Sequence, residues 1–128
     1  MTYLLDTNAC IRFLNERHSP VSRRISRTPP ADIFLCTIVQ IELYYGAYKS
    51  LQRQQNLAIL ERLFNQFTIL PFDSRAAQIA GLIRAQLAAL GTPIGPYDLQ
   101  IAAIALANNL IIVTHNTREF SRVDGLRL

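Results

Sequence analysis

Four short apolar runs, at residues 3–5, 33–36, 68–72 and 110–113, alternate along this chain with longer stretches whose apolar residues recur at helical spacing. Runs this short, apolar throughout, suit strands buried on both faces. Strands separated by helices form βαβ units with right-handed crossovers, which build a parallel sheet covered by helices. The expected class is α/β, as one domain spanning residues 1–128. In open sheets of this kind ligands bind beyond the carboxyl ends of the strands. Residues just after each run therefore bear most on function.

Between the runs, Thr7 or Asn8 is expected to cap a first helix carrying Ile11, Phe13 and Leu14. Arg17, Arg23, Arg24 and Arg27 follow among Ser and Pro, and Pro29-Pro30 breaks the helix. Ile38, Ile41, Glu42 and Tyr45 share one face of a helix that ends between Gly46 and Lys49. Leu57, Leu60, Leu63, Phe64 and Phe67 mark an amphipathic helix, and residues 76–90 a long one stopped by Gly91. Pro96 fits the first position of a last long helix, apolar nearly all round at 101–107 and so buried.

Half of the residues are hydrophobic and 17% are charged, which excludes a disordered chain. The net charge is +4, and arginine supplies 12 of the 13 cations. Guanidinium groups fork onto phosphate oxygens, so the bias suits a nucleic-acid partner. Cys10 and Cys36 form no Cys-x-x-Cys pair, which argues against zinc ribbons and disulfide scaffolds and for reduced thiols in the cytoplasm. The start of the chain lacks a basic segment leading into an apolar one, and the longest apolar run, 101–107, is far too short to cross a bilayer. A soluble protein without membrane contact is expected.

Against this basic background four of the nine acids stand out: Asp6, Glu42, Asp98 and Glu119. Asp6 ends a buried strand, where Asp also serves as an ordinary helix cap. Asp98 is the third helical residue after Gly95, a position that the helix dipole favours for any acid. Glu42 lies mid-helix between Ile41 and Leu43, and a carboxylate buried there without a cation is costly. Glu119 is flanked by Arg118 and Arg122, so a surface ion pair would account for it. Two carboxylates about 4 Å apart repel by roughly 4 kcal/mol at an effective dielectric near 20. A cluster of them either takes up protons or holds a divalent cation. Oxygen-only ligands favour Mg²⁺, with Mn²⁺ as a substitute, and suit phosphodiester hydrolysis.

Other chemistries lack their residues. There is no Gly-x-Gly-x-x-Gly after the first strand and no Gly-Lys-Ser/Thr loop for a nucleotide. His18 sits in a polar, basic stretch, and His115 has no Cys or His partner and flanks the acids without ligating. Tyr44, Tyr45 and Tyr48 offer stacking surfaces for bases, although core packing accounts for at least one of them.

Four segments carry a family resemblance: Leu-Leu-Asp-Thr-Asn at 4–8, Thr-Ile-Val-Gln-Ile-Glu-Leu-Tyr-Tyr-Gly-Ala at 37–47, Pro-Ile-Gly-Pro-Tyr-Asp-Leu-Gln-Ile-Ala-Ala at 93–103 and Ile-Val-Thr-His-Asn-Thr-Arg-Glu-Phe at 112–120. In this order they resemble the PIN domain, and within it the VapC toxins of bacterial toxin–antitoxin pairs. The resemblance implies an α/β/α sandwich around a parallel sheet and Mg²⁺-dependent endoribonuclease activity. It assigns Asp6, Glu42 and Asp98 to the acidic site, with Asp6 and Asp98 as the main metal ligands. It further implies homodimers, a VapB-like antitoxin whose C-terminal segment covers the site, and cleavage of initiator tRNA in the anticodon loop. One position departs: many PIN domains carry an Asp two residues after the Thr that ends the last strand, where this chain has Asn116 after Thr114 and His115. Asn116 can ligate weakly through its carbonyl, and Glu119 can supply the missing charge, which leaves the number of metal ions open.

Two other readings compete. A non-catalytic module would keep the fold and use its basic face for RNA or a protein, but three intact acids argue for the enzyme. A phosphatase or receiver domain wants paired acids that are absent here; Asn8 stands where a dehalogenase-type phosphatase needs its second Asp.

Overall fold

The structure, a computed structural model, describes residues 1–128. In chain order its elements are β1 (Tyr3–Leu5), α1 (Thr7–Asn15), α2 (Pro20–Arg27), a 3-10 turn at Pro30–Asp32, β2 (Ile33–Cys36), α3 (Thr37–Lys49), α4 (Arg53–Gln66), β3 (Thr68–Leu70), α5 (Ser74–Ala89), α6 (Pro96–Ala107), β4 (Ile111–Val113) and α7 (Thr117–Phe120). The four strands are all parallel in the order β3-β2-β1-β4. β1 is central, pairing Tyr3 with Ile33 on one side and with Ile111 on the other. Helices pack around the sheet in pairs: α1 with α2, α3 with α4, and α5 with α6. One contiguous core joins them, and Leu4, Leu5, Leu35, Ile104 and Phe120 within it are wholly buried. No helix is long and apolar enough to cross a membrane.

Boundaries moved where backbone donors were already committed. Asp6, not Thr7 or Asn8, caps α1: its backbone is extended (φ −77°, ψ 176°) and its Oδ1 accepts the Ala9 N–H at 2.8 Å. The first helical segment is two helices, because Ser19 caps a fresh start and Pro20 takes the first position of α2. β3 stops at Leu70, short of residue 72. Pro71 has no N–H to offer the ladder, and the Phe72 N–H turns to Thr37 Oγ1 at 3.3 Å. α5 starts at Ser74, with Asp73 accepting from Ala76 N at 2.9 Å, and the left-handed Gly91 (φ 69°) follows its end. β4 begins at Ile111 because the Leu110 N–H is taken by Ala105 O at 2.9 Å, closing α6 with Asn109 left-handed (φ 55°).

Asp73 caps its helix just as Asp6 does but belongs to no acid group. Asp73→Ala is expected to cost about 1 kcal/mol of stability in urea titrations while leaving any nucleolytic activity at the wild-type level.

Candidate active site at the switch point of the sheet

From β1 the chain winds outward through β2 to β3, then returns to place β4 on the opposite side of β1. The crevice between the carboxyl ends of β1 and β4 is therefore the topological switch point, where an open α/β sheet presents its ligand site. Asp6 and Thr114 leave those two strands side by side, and the Asp6 N–H donates to Val113 O at 3.2 Å. Asp6 is only 5% exposed. Burial pushes its pKa up, offset in part by the Thr114 side chain, the Ala9 N–H and the charge of His115. His115 itself is exposed beside the centre.

Asp98 arrives on the first turn of α6, where Gly95 caps and Pro96 starts the helix. It is half-buried, and its pKa is pushed up to about 6, first by desolvation and then by the negative charges of Glu119, Asp6 and Glu42. Asp98 therefore feels the charges of the other three acids expected from the sequence. Arg12–Glu16 is the sole ion pair in the protein, so no Lys or Arg forms a salt bridge with any of the four.

Neutral donors hold the cluster instead. The Asn116 side chain follows β4 and donates through Nδ2 to Asp98 Oδ2 at 3.1 Å and to Glu119 Oε2 at 2.8 Å. The Gly95 N–H donates to Glu119 Oε1, and with Asn116 it holds the Glu119 carboxyl below the usual range. Across the site, the Thr7 hydroxyl donates to Glu42 Oε1 at 2.9 Å and ties α1 to α3.

Two expectations are corrected here. Glu42 is half-buried, not enclosed: Ile38 is buried, but Ile41 and Tyr45 on the same side are 49% and 65% exposed, so that face of α3 is open. Glu119 forms no surface ion pair. Arg122 donates to Pro93 O at 2.9 Å, and Glu119 turns inward to the start of α6. Of the tyrosines, Tyr44 packs on Phe64 with ring centroids 5.3 Å apart, while Tyr45 and Tyr48 are exposed.

Thr7, Thr114 and the Gly95 N–H serve the site without having been singled out from the sequence. Only Thr7 left a signal, as a hydroxyl next to Asp6, and there it suggested a cap. As they stand, no three Asp, Glu, His or Cys side chains form a group that could hold a metal ion. The donor chemistry nonetheless fits a hard divalent cation: carboxylate and amide oxygens, an excess of negative charge and no Lys or Arg in ion-pair contact. Cys10 and Cys36 are buried free thiols, Cys36 pushed up to about 11 chiefly by desolvation, and neither is a soft ligand here.

A family profile described as PIN domain matches residues 3–126. The chain is 39% identical to the tRNA(fMet)-specific endonuclease VapC of Salmonella typhimurium, covering 100% of this chain and 96% of that protein. It is 41% identical to the protein of the same name from Shigella flexneri, over 99% and 96% of the two chains. Among solved structures, the DNA-bound VapBC of Salmonella typhimurium superposes with a TM-score of 0.92 at 39% identity, covering 99% of this chain and 96% of that one. VapBC2 of Rickettsia felis, bound to a DNA fragment from its promoter, gives 0.92 at 32%, over 100% and 97%.

An acid whose pKa is higher folded than unfolded binds protons more readily in the folded state, so its stability contribution falls as pH rises through that window. For Asp98 the window runs from 3.8 to about 6. In chelator, Asp98→Asn is expected to melt above wild type at pH 7, with the difference vanishing below about pH 4. Melting curves that keep the same separation at both pH values would contradict the charge crowding described.

Proposed function

This chain belongs to the PIN-domain family, and we propose that it is a metal-dependent endoribonuclease, the toxin of a toxin–antitoxin pair. One observation carries the proposal: Asp6, Glu42, Asp98 and Glu119 gather at the switch point with no Lys or Arg in ion-pair contact. On a chain of net charge +4 the basic surface attracts a polyanion while the negative centre is left for a cation. Asp6 and Asp98 are the proposed ligands of Mg²⁺ or Mn²⁺, with Glu42 and Glu119 completing the catalytic set. When bound, such an ion polarises the scissile phosphate and lowers the pKa of a coordinated water.

The chain's own residues set the stage for this. The Ala9 N–H fixes Asp6 at the mouth of the sheet. Thr7 holds Glu42 by one oxygen, so that carboxylate keeps its position on an open helix face. Asn116 spans Asp98 and Glu119, taking the place of the acid common in the family and adding no charge of its own.

The substrate proposed is initiator tRNA, cut in its anticodon loop; the relatives named for tRNA(fMet) support it. The VapBC complexes support a VapB-like antitoxin as partner. Within the same proposal, the antitoxin's C-terminal segment covers the acids and this chain acts as one domain, in a homodimer, in the cytoplasm. A non-catalytic module of the same fold finds less support, since a pure binding surface gains nothing from setting Asp98 among three other negative charges.

Asp6→Asn and Asp98→Asn are each expected to lower cleavage of initiator tRNA in Mg²⁺ by more than the roughly 10–100-fold typical of residues that only support a metal ligand. Both variants should keep wild-type circular dichroism, and chelator should silence wild type. Cleavage by both purified variants at wild-type rates would sink the assignment.

A further inference from the structure

Five of the 13 cations fall between residues 12 and 27, with Glu16 as the only acid in that stretch. Arg12 pairs with Glu16; Arg17, Arg23, Arg24 and Arg27 are exposed and have no carboxylate partner. α2 buries Ser22 and Ile25 against the body, and the Ser22 hydroxyl donates to Arg12 O at 3.2 Å, so Arg23 and Arg27, one turn apart, face outward. Helix-dipole stabilisation favours Arg24 and Arg27 in the last turn but not Arg23 in the second. Like charges four apart also disfavour the helix. The sequence tolerates an unfavourable arrangement that folding alone does not call for.

The surface around α2 is concave wherever these arginines lie. Pro20, Arg23, Arg24 and Arg27 alone line a recess of about 430 Å³. On another side Arg17 and Arg62 line one of about 420 Å³, again without an acid. Beneath α2 a cleft of about 440 Å³ runs along the sheet, and Arg24 shares its wall with Leu5 and Thr114. Leu5 immediately precedes Asp6, and the Thr114 side chain lies against the Asp6 carboxyl. The cleft under the basic helix thus reaches Leu5 and Thr114, the residues that border Asp6.

We propose that the outer face of α2, with Arg23 and Arg27 at its middle and Arg17 beside it, is a grip for the sugar-phosphate backbone of the RNA substrate. It holds the strand so that the chain continues over the cleft to the acids. Guanidinium forks match phosphate oxygens in pairs, and exposed, unpaired arginines give up little to reach them. The proposal rests on the ribonuclease reading above and names where its substrate lies away from the scissile bond.

The test measures binding of labelled initiator tRNA transcript across a salt series, in an Asp98→Asn background and with cleavage by the parent chain checked separately. Arg23→Gln/Arg27→Gln is expected to weaken binding several-fold and to reduce the slope of log affinity against log salt by roughly 1.4 to 1.8, the value for two lost phosphate contacts. Arg75→Gln/Arg84→Gln, on exposed positions of α5, removes the same net charge and should leave both quantities near wild type. Arg23→Lys/Arg27→Lys should restore the slope. An unchanged slope in the α2 pair, or an equal loss in the α5 pair, overturns the proposal. So does a defect seen only with an acidic antitoxin peptide, which would assign α2 to a protein partner. Failure of the parent chain to cleave any RNA would count against the ribonuclease reading instead.

Discussion

Hydrogen bonding of β1 on both sides, to β2 through Tyr3 and Leu4 and to β4 through Tyr3, Leu4 and Leu5, forces the chain to reverse its winding at that strand. A strand three residues long cannot do this unless both faces are sealed, and Leu4 and Leu5 are wholly buried. The reversal opens a crevice at one end of β1, and the next residue in the chain is Asp6. α6 then delivers Asp98, α3 delivers Glu42, the turn after β4 delivers Asn116 and α7 delivers Glu119 to the same crevice. Sheet topology thus sets the site before any side chain of the site has contributed.

Gathering negative charge in this way works against folding, and the surroundings answer it with dipoles instead of cations. The Ala9 and Gly95 N–H groups, the Thr7 hydroxyl and the Asn116 amide each orient a carboxylate without neutralising it. An arginine paired with one of these carboxylates would cancel charge that the neutral donors leave in place. The arginines stand instead on the outside, so the molecule keeps its two signs of charge apart.

Much of this was legible in the sequence, and the misses have physical causes. β2 was found at its observed limits because Ile33–Cys36 is apolar throughout and followed at once by a helical pattern. β3 and β4 were each read too long, since apolarity at Phe72 and Leu110 says nothing about which partner their N–H groups take. Asp6, Asp98 and Glu119 stood out by position at or near element ends and Glu42 as a mid-helix carboxylate among apolar neighbours, and the four motifs in register named the family. Which face of α3 closes was not, because Ile41 and Tyr45 look like core residues unless the neighbouring helices are known. Asn116 read as a lost acid; only its contacts reveal it as a clasp between two acids 21 residues apart in sequence, Asp98 and Glu119.

Asp6 holds its place by two independent ties, its carboxylate accepting from the first turn of α1 and its own N–H donating to Val113 O on β4. Substitutions at this codon therefore divide into two kinds. Asparagine keeps an acceptor for the Ala9 N–H while removing the charge, so it separates the electrostatic role of Asp6 from its capping role. Alanine or valine removes both together and leaves the first turn of α1 without its cap.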